Sequence, residues 1–590
     1  MDIKEIVKKK HINDEDQLKF IFSNDNRILV TAPAGCGKTT AMVSKIALEL
    51  ENGNISNNKR ILAMTFSVNA ALKIKDSLRD LLPELVDNSN FLKRVDVANY
   101  HNFAMKLLFK HGYAINSELM NLSEFKILND SSNEMNDFLS NEEVLLMKEM
   151  DKSIKLMNIQ RAKSLIKDYK NIFTDKLFPK KIITYNAILV FARELLVKEE
   201  QIKNFYQSFY KLIIIDEFQD TNYLALSFIE TLIGENKIIV LGDEMQKIYG
   251  FLGAIDNVFD RFSNKFEMKK YEFKTNYRFK ENDNMNKLDK FIRYYGENYS
   301  IPEFEAELSV VIKESEKNEN YFILEGVKLF NKDKNGKLAL LVKQRKLANE
   351  ILTCFNENGI NYFNALFNDN DLEYIKFHEK ALELLNSANN YSKKVTKKVV
   401  RLVIDKITEW RSELEEKSDE SYKNLYIVDS LIVLLKLLFS KTLTDSGSSL
   451  EKYEKIRFIL EINNLKSMIE YVNESIIITT IHSSKGLEWD YVIIPRLNEY
   501  IFSPNCKTCK EAMSKKNYQK SCEFLFKEEM KKNFKEELSV FYVALTRARR
   551  NIFITANNNK NIFGYPTRTS CFLNLKGLNC NEYKWNDFFN

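Results

Sequence analysis

The sequence predicts an α/β protein with two parallel-sheet domains, each interrupted by a helical insertion. Three observations predict it. Short apolar runs of strand length alternate with helical stretches near the N-terminus, two long blocks without strand runs break the alternation, and strand runs resume after each block. Apolar runs with no polar alternation mark strands buried on both faces, as in parallel sheets covered by their crossover helices.

The first run is Arg27–Thr31, followed by a glycine-containing loop and the helix-forming stretch Thr40–Leu50. Arg60–Phe66 is a second run, and Asn69–Leu82 again has helical spacing, which reads as βαβ units. Residues 105–180 are lysine-rich and amphipathic, as in Glu142–Tyr169, and read as helical with no strand. Strand runs return at Lys211–Ile215, Lys237–Leu241 and Lys337–Val342. A second helical block includes Val399–Ile407 and Leu431–Leu438, before strands at Ile476–Thr479, Tyr491–Ile494 and Asn551–Ile554. The expected division is residues 1–104 and 181–278 for the first domain, with 105–180 as its insertion. Residues 279–369 and 472–590 form the second domain, with 370–471 as its insertion.

Composition bounds the class. The 590 residues are 44% hydrophobic and 29% charged, a globular balance. A net charge of +6 permits nucleic-acid binding without establishing it. No run of about 18 apolar residues occurs, so no membrane span is expected. The opening Met1-Asp-Ile-Lys-Glu5 lacks the apolar core of a signal peptide. Seven scattered cysteines make no disulfide framework, so reduced thiols and a cytoplasmic location are expected.

Ala32-Pro33-Ala34-Gly35-Cys36-Gly37-Lys38-Thr39 lies between a strand and a helix, where backbone N–H groups can cradle a phosphate. Lys38 would reach the β- and γ-phosphates, and the Thr39 hydroxyl would serve Mg²⁺. Leu212–Glu217 is a buried strand ending in two carboxylates, at the sheet edge where α/β proteins bind ligands. Asp216 suits a Mg²⁺-linked acid and Glu217 a base orienting the attacking water.

Further motifs follow in order. Gln17 stands 21 residues before Lys38; Thr65-Phe-Ser-Val-Asn-Ala-Ala71, Tyr100-His-Asn-Phe103 and Asp216-Glu-Phe-Gln-Asp-Thr-Asn222 come next. Gly242-Asp-Glu-Met-Gln-Lys-Ile-Tyr-Gly250, Asn276-Tyr-Arg278, Thr480–Asp490 and Tyr542–Ala548 complete the series. Together they resemble the UvrD/Rep/PcrA helicases of superfamily 1, over residues 12–555 outside the insertions. That resemblance implies two RecA-like P-loop domains that hold Mg²⁺–ATP between them, and a 3′-to-5′ motor on single-stranded or duplex DNA. It implies that Gln17 and Tyr277 read and stack the adenine, that Glu488 faces the ribose, and that Gln246 senses the γ-phosphate. Arg278 and Arg547 would reach that phosphate from the second domain, so that ATP would close the cleft and hydrolysis reopen it. Phe66, Tyr100, Tyr249 and Phe251 would stack on bases, with His101 and His482 contacting the strand or coupling it to the nucleotide.

Three departures stand out. Phe251-Leu-Gly253 replaces the family's Trp-Arg-Gly, which should retune the grip on the strand. Thr40 stands where an arginine often packs on the adenine, and Asn99 replaces a threonine. Cys506, Cys509 and Cys522 hint at zinc without a convincing fourth ligand, Cys571 and Cys580 being distant, so no structural metal is expected. Lys393, Lys394, Lys397, Lys398 and Arg401 could touch duplex DNA, although a solvated helix face is the favoured reading. The residues after Thr555 leave no room for an appended nuclease. A second functional reading is a helicase-like regulatory ATPase partnered with a nuclease, in DNA repair or anti-phage defence of the Gabija type.

Overall fold

The computed structural model describes residues 2–590 except 67, 87–88, 334–335, 369–370, 389–392, 417–423, 445–447, 462, 503–527, 559–567, 583, 586–588 and 590. The chain divides into two units, Met1–Arg278 and Phe279–Asn590. Strands of the first unit are β1 (Arg27–Thr31), β2 (Arg60–Thr65), β3 (Val95–Asn99), β4 (Lys126–Leu128), β5 (Ile182–Thr184), β6 (Tyr210–Asp216), β7 (Lys237–Gly242) and β8 (Lys269–Glu272). Those of the second are β9 (Ala306–Lys313), β10 (Leu338–Val342), β11 (Phe363–Ala365), β12 (Ile476–Thr480), β13 (Trp489–Ile494), β14 (Ala548–Asn557) and β15 (Leu578–Asn581).

The first unit's main sheet is six-stranded and parallel, in the order β3-β2-β6-β7-β1-β8. Successive residues of each central strand face opposite cores, as a period of two demands. Ile28, Val30, Ile61, Ala63, Leu212 and Ile214 join the core under helices Lys38–Glu51 and Val68–Leu85. Leu29, Leu62, Met64, Ile213 and Ile215 join the other, which continues without a break into the inserted helices Asn141–Lys155 and Ile159–Ile172. The insertion is thus anchored to one sheet face by shared apolar burial.

The second unit carries a seven-stranded parallel sheet, β11-β12-β10-β13-β14-β9-β15. Between β11 and β12 lie helices Leu372–Ala388, Lys397–Glu416, Leu425–Thr444 and Ser449–Glu461. The two parallel-sheet units are as the sequence predicts. One difference is the short parallel pair β4–β5, whose β4 lies inside the block read as free of strands. Three-residue strands are too short to leave a periodic signal.

The β1–β7 pairing aligns Thr31 with Gly242, and β2–β6 aligns Thr65 with Asp216. The phosphate loop after β1, the carboxylates ending β6 and the Gly242–Gln246 turn after β7 therefore emerge at the same edge from three adjacent strands, β6-β7-β1.

Candidate nucleotide and nucleic-acid site

Gly37 caps helix Lys38–Glu51 in the left-handed region (φ 70°), and Gly35 has φ 78°. Side chains rarely adopt that conformation, and space forbids one as well. A Cβ on Gly35 would lie 2.6 Å from both Arg278 Cβ and Asn276 Oδ1; one on Gly37 would lie 2.8 Å from Gln17 Nε2. The loop is laced to its surroundings through its backbone groups. Ala32 N–H donates to Gly242 O (3.1 Å), Tyr277 N–H to Gly35 O (2.9 Å) and Asn276 Nδ2 to Ala34 O (3.1 Å). Lys38 Nζ crosses the loop to Ala32 O at 3.1 Å. Pro33, Thr39 and Thr40 are half-buried beside the buried Cys36.

Asp216 is buried at the end of β6, and burial together with Glu217 raises its pKa to about 6 against the opposing pull of Lys38. Glu217 itself takes a left-handed backbone (φ 53°), which turns it away from the strand line. Its Oε2 accepts from Gln219 Nε2 at 2.5 Å, while Gln219 Oε1 accepts the Asp243 N–H at 3.0 Å. Asp243 Oδ2 in turn accepts from Gln246 Nε2 at 2.9 Å. One chain of bonds therefore runs from Glu217 to Gln246. The donor set suits a hard divalent cation: two oxygens, from Thr39 and Asp216, and a strand-end carboxylate pair whose like charges a cation would offset. Thr65, the register partner of Asp216, adds a buried hydroxyl with no hydrogen-bond partner among the described residues.

Gln17 lies in helix Glu15–Phe22, capped by Asp14, whose Oδ1 accepts the Gln17 N–H at 2.9 Å. Asp14 Oδ2 accepts from the Tyr277 hydroxyl at 2.6 Å. Asp14 was not singled out from the sequence, although Asp-x-x-Gln ahead of an apolar helix is a capping signature. Gln17 is buried, its Nε2 on Cys36 O (2.9 Å) and its Oε1 on His11 Nδ1 (2.5 Å). Tyr277 is 40% exposed. Arg278, which the resemblance assigns to the second domain although the expected division closes the first at residue 278, is the last residue of the first unit. The Asn276 side-chain amide and the Tyr277 N–H, both bonded to the phosphate loop, hold it there, and sequence order alone could not reveal these bonds.

Phe66, beyond β2, and Tyr249, beyond β7, stack on each other with centroids 5.4 Å apart at 30°. Both are half-buried. Tyr100 differs from expectation: it is fully buried, with its hydroxyl 3.0 Å from Thr221 Oγ1, so its ring is core and cannot stack on a base. The reason is register: Tyr100 opens helix Tyr100–His111 on the face that joins the sheet core. His101 is half-buried, edge-on to Tyr185, and burial lowers its pKa to about 4. Phe251 sits in the turn Gly250–Leu252, but its side chain lies outside the described residues.

In the second unit Arg547 is buried. Its Nε donates to Val543 O (2.9 Å), one terminal nitrogen to Leu487 O (3.1 Å) and the other to Thr546 Oγ1 (3.1 Å). Glu488 pairs with Arg549 at 3.3 Å. His482 is half-buried, its pKa lowered to about 4 by burial and by Lys343 and Lys485. Among the described residues no cluster of three metal-ligating side chains occurs, and Cys506, Cys509 and Cys522 lie outside them. Lys397, Lys398 and Arg401 are exposed on one helix.

Two parallel α/β units, the first with a phosphate loop and a strand-end carboxylate pair on one sheet edge, define a P-loop protein built from RecA-like domains. Residues 13–267 match the UvrD/REP helicase N-terminal domain, and residues 363–559 the UvrD-like helicase C-terminal domain. The chain belongs to the UvrD/REP helicase family, an ATP-dependent enzyme family of superfamily 1. It is similar to a probable DNA helicase II homolog of Mycoplasma genitalium, 25% identical over 97% of this chain and 88% of that protein. It is also similar to a DNA helicase II of Rickettsia typhi, 24% identical over 95% of this chain and 94% of the relative. No helix among the described residues is long and apolar enough to cross a membrane.

Proposed function

We propose that this protein is an ATP-driven translocase on single-stranded DNA and a 3′-to-5′ DNA helicase. The observation that carries the reading is the unbroken chain from Glu217 through Gln219 and Asp243 to Gln246, three residues before the Phe66–Tyr249 stack. It supports coupling between the residue assigned to orient water and the turn that leads to the aromatic pair assigned to hold a base.

Lys38 and the loop N–H groups bind the phosphates, and Glu217 orients and deprotonates the attacking water. Thr39 and Asp216 would hold Mg²⁺, which when bound neutralises phosphate charge. Gln246 reports the γ-phosphate to the loop that carries Tyr249. Tyr277 stacks on the base and Glu488 faces the ribose. Arg278 and Arg547 are assigned to the γ-phosphate by resemblance. Phe66 and Tyr249 stack on the strand, a contact that tolerates any sequence. Polarity is carried by family resemblance alone.

The test is ATP hydrolysis with and without single-stranded DNA. Hydrolysis that rises strongly with DNA and is lost in Lys38→Ala supports the reading; hydrolysis indifferent to DNA and RNA sinks it. The alternative of a regulatory subunit beside a nuclease draws nothing from the relatives named above, whose descriptions are of DNA helicase II. Strand displacement by the purified chain alone would count against it.

A further inference from the structure

His11 ends the helix Ile3–Lys10 and is buried, with Nδ1 2.5 Å from Gln17 Oε1 and Nε2 2.8 Å from Ser44 Oγ. The protons of this cluster can be assigned from its geometry. Cys36 O only accepts, so the Gln17 amide nitrogen must face it and the Gln17 oxygen must face His11. That oxygen only accepts as well, so His11 Nδ1 carries the hydrogen, and Nε2 of the neutral ring accepts from the Ser44 hydroxyl. Burial lowers the His11 pKa, in keeping with a neutral ring. Both ends of the Gln17 amide are thereby engaged inside the protein.

The helix that carries Gln17 is pinned at its far end too. Buried Lys45, next to Ser44, donates to Ile21 O at 2.9 Å and Ser23 O at 2.6 Å, and pairs with Glu49 at 3.1 Å. Contact with the loop is tight, since a Cβ on Gly37 would overlap Gln17 Nε2. An amide that reads adenine must offer its oxygen to the 6-amino group, whereas guanine presents an acceptor there. Here one lone pair of the oxygen is held by His11, and with Gln17 only 1% exposed the second is not presented to a base. Stacking on Tyr277 does not distinguish the two purines.

We propose that His11 converts Gln17 from a base-reading group into a strut of the phosphate loop, so that this chain accepts ATP and GTP alike. This rests on the nucleotide-site reading above, but not on motor activity.

The experiment is equilibrium binding of fluorescent ATP and GTP analogues to the full chain without DNA. Wild type should bind both with Kd values within about threefold, the difference expected when no hydrogen bond separates them. Gln17→Ala should weaken both by the same factor. His11→Ala frees the Gln17 oxygen and should shift the ratio about tenfold toward ATP, one hydrogen bond's worth. His11→Asn, whose Nδ2–H can stand in for Nδ1–H, should restore the wild-type ratio, which general destabilisation would not do. A wild type that prefers ATP more than about tenfold, with the preference erased in Gln17→Ala, overturns the proposal. So does a folded His11→Ala with an unchanged ratio, or a chain that binds neither nucleotide. Nucleotide binding with no DNA-stimulated hydrolysis would instead defeat the motor reading and leave the ratios readable.

Discussion

Gln219 Nε2 lies 2.5 Å from Glu217 Oε2, and this bond sets where the carboxylate points from its left-handed backbone. The two residues should fail differently. Glu217→Gln removes the base and should lower DNA-stimulated kcat by roughly 10²–10⁴ while ATP binding survives. Gln219→Ala keeps the base but loses its orientation, and should lower kcat by about tenfold. It also strips the buried Asp243 N–H of its acceptor, which should cost about 1–3 kcal/mol in urea unfolding. Steady-state kinetics beside unfolding curves separate the two.

The stacked pair and the buried tyrosine make opposite predictions. Phe66→Ala or Tyr249→Ala should weaken single-stranded DNA binding by ~1–3 kcal/mol, read by fluorescence anisotropy at fixed salt. Tyr100→Phe should leave DNA affinity unchanged. It loses only the hydroxyl bond to Thr221, worth about 1 kcal/mol of stability. A DNA-binding defect in Tyr100→Phe would put the Tyr100 hydroxyl, rather than the core alone, in contact with the strand.

Gly35→Ala combines a positive φ with a Cβ 2.6 Å from Arg278 Cβ and Asn276 Oδ1. The loop must deform or release Asn276-Tyr277-Arg278. ATP affinity should fall by at least about tenfold, with strain of roughly 1–3 kcal/mol lowering the thermal midpoint. Calorimetric titration with ATP, beside a melting curve, reads both.

Asp130 provides a pH test away from the nucleotide. It is buried in the first insertion, its Oδ1 accepting from Tyr169 (2.5 Å) and Thr184 (2.9 Å), and burial lifts its pKa to about 6. A carboxyl raised in the folded state binds a proton more tightly there than when unfolded. Its contribution therefore favours folding as pH falls from about 6 toward 4, and is lost as pH rises through 6. Asp130→Asn keeps an acceptor oxygen and does not titrate. The stability difference, wild type minus variant, should rise by on the order of 2 kcal/mol between pH 7 and pH 4. A flat difference would show Asp130 ionised in the fold.

The strands that sequence reasoning found are the buried central ones, such as Ile213-Ile-Ile215, where an unbroken apolar run leaves little choice. It missed the edge strands β3 and β8 of the first sheet and β11 and β15 of the second, because an edge strand has less to bury: Val95–Asn99 carries Asp96 and Lys269–Glu272 is mostly charged. It also missed the interior β9, where Glu307, Ser309 and Lys313 break the apolar run. The phosphate loop was legible because glycines, lysine and threonine at fixed spacing carry their chemistry locally. His11, Ser44, Asp14 and Gln219 were not, because their roles rest on bonds between residues far apart in the chain or on distinct elements.

By itself the sequence determined the class of fold, the phosphate loop and the strand-end carboxylates, all set by local periodicity and spacing. Only the tertiary structure decided that Tyr100 is core, that Asn276 and Tyr277 tie Arg278 to the phosphate loop, and that Gln17 is held at both ends. Those outcomes depend on which neighbour reaches a polar atom first, and burial makes that partner, once found, costly to exchange.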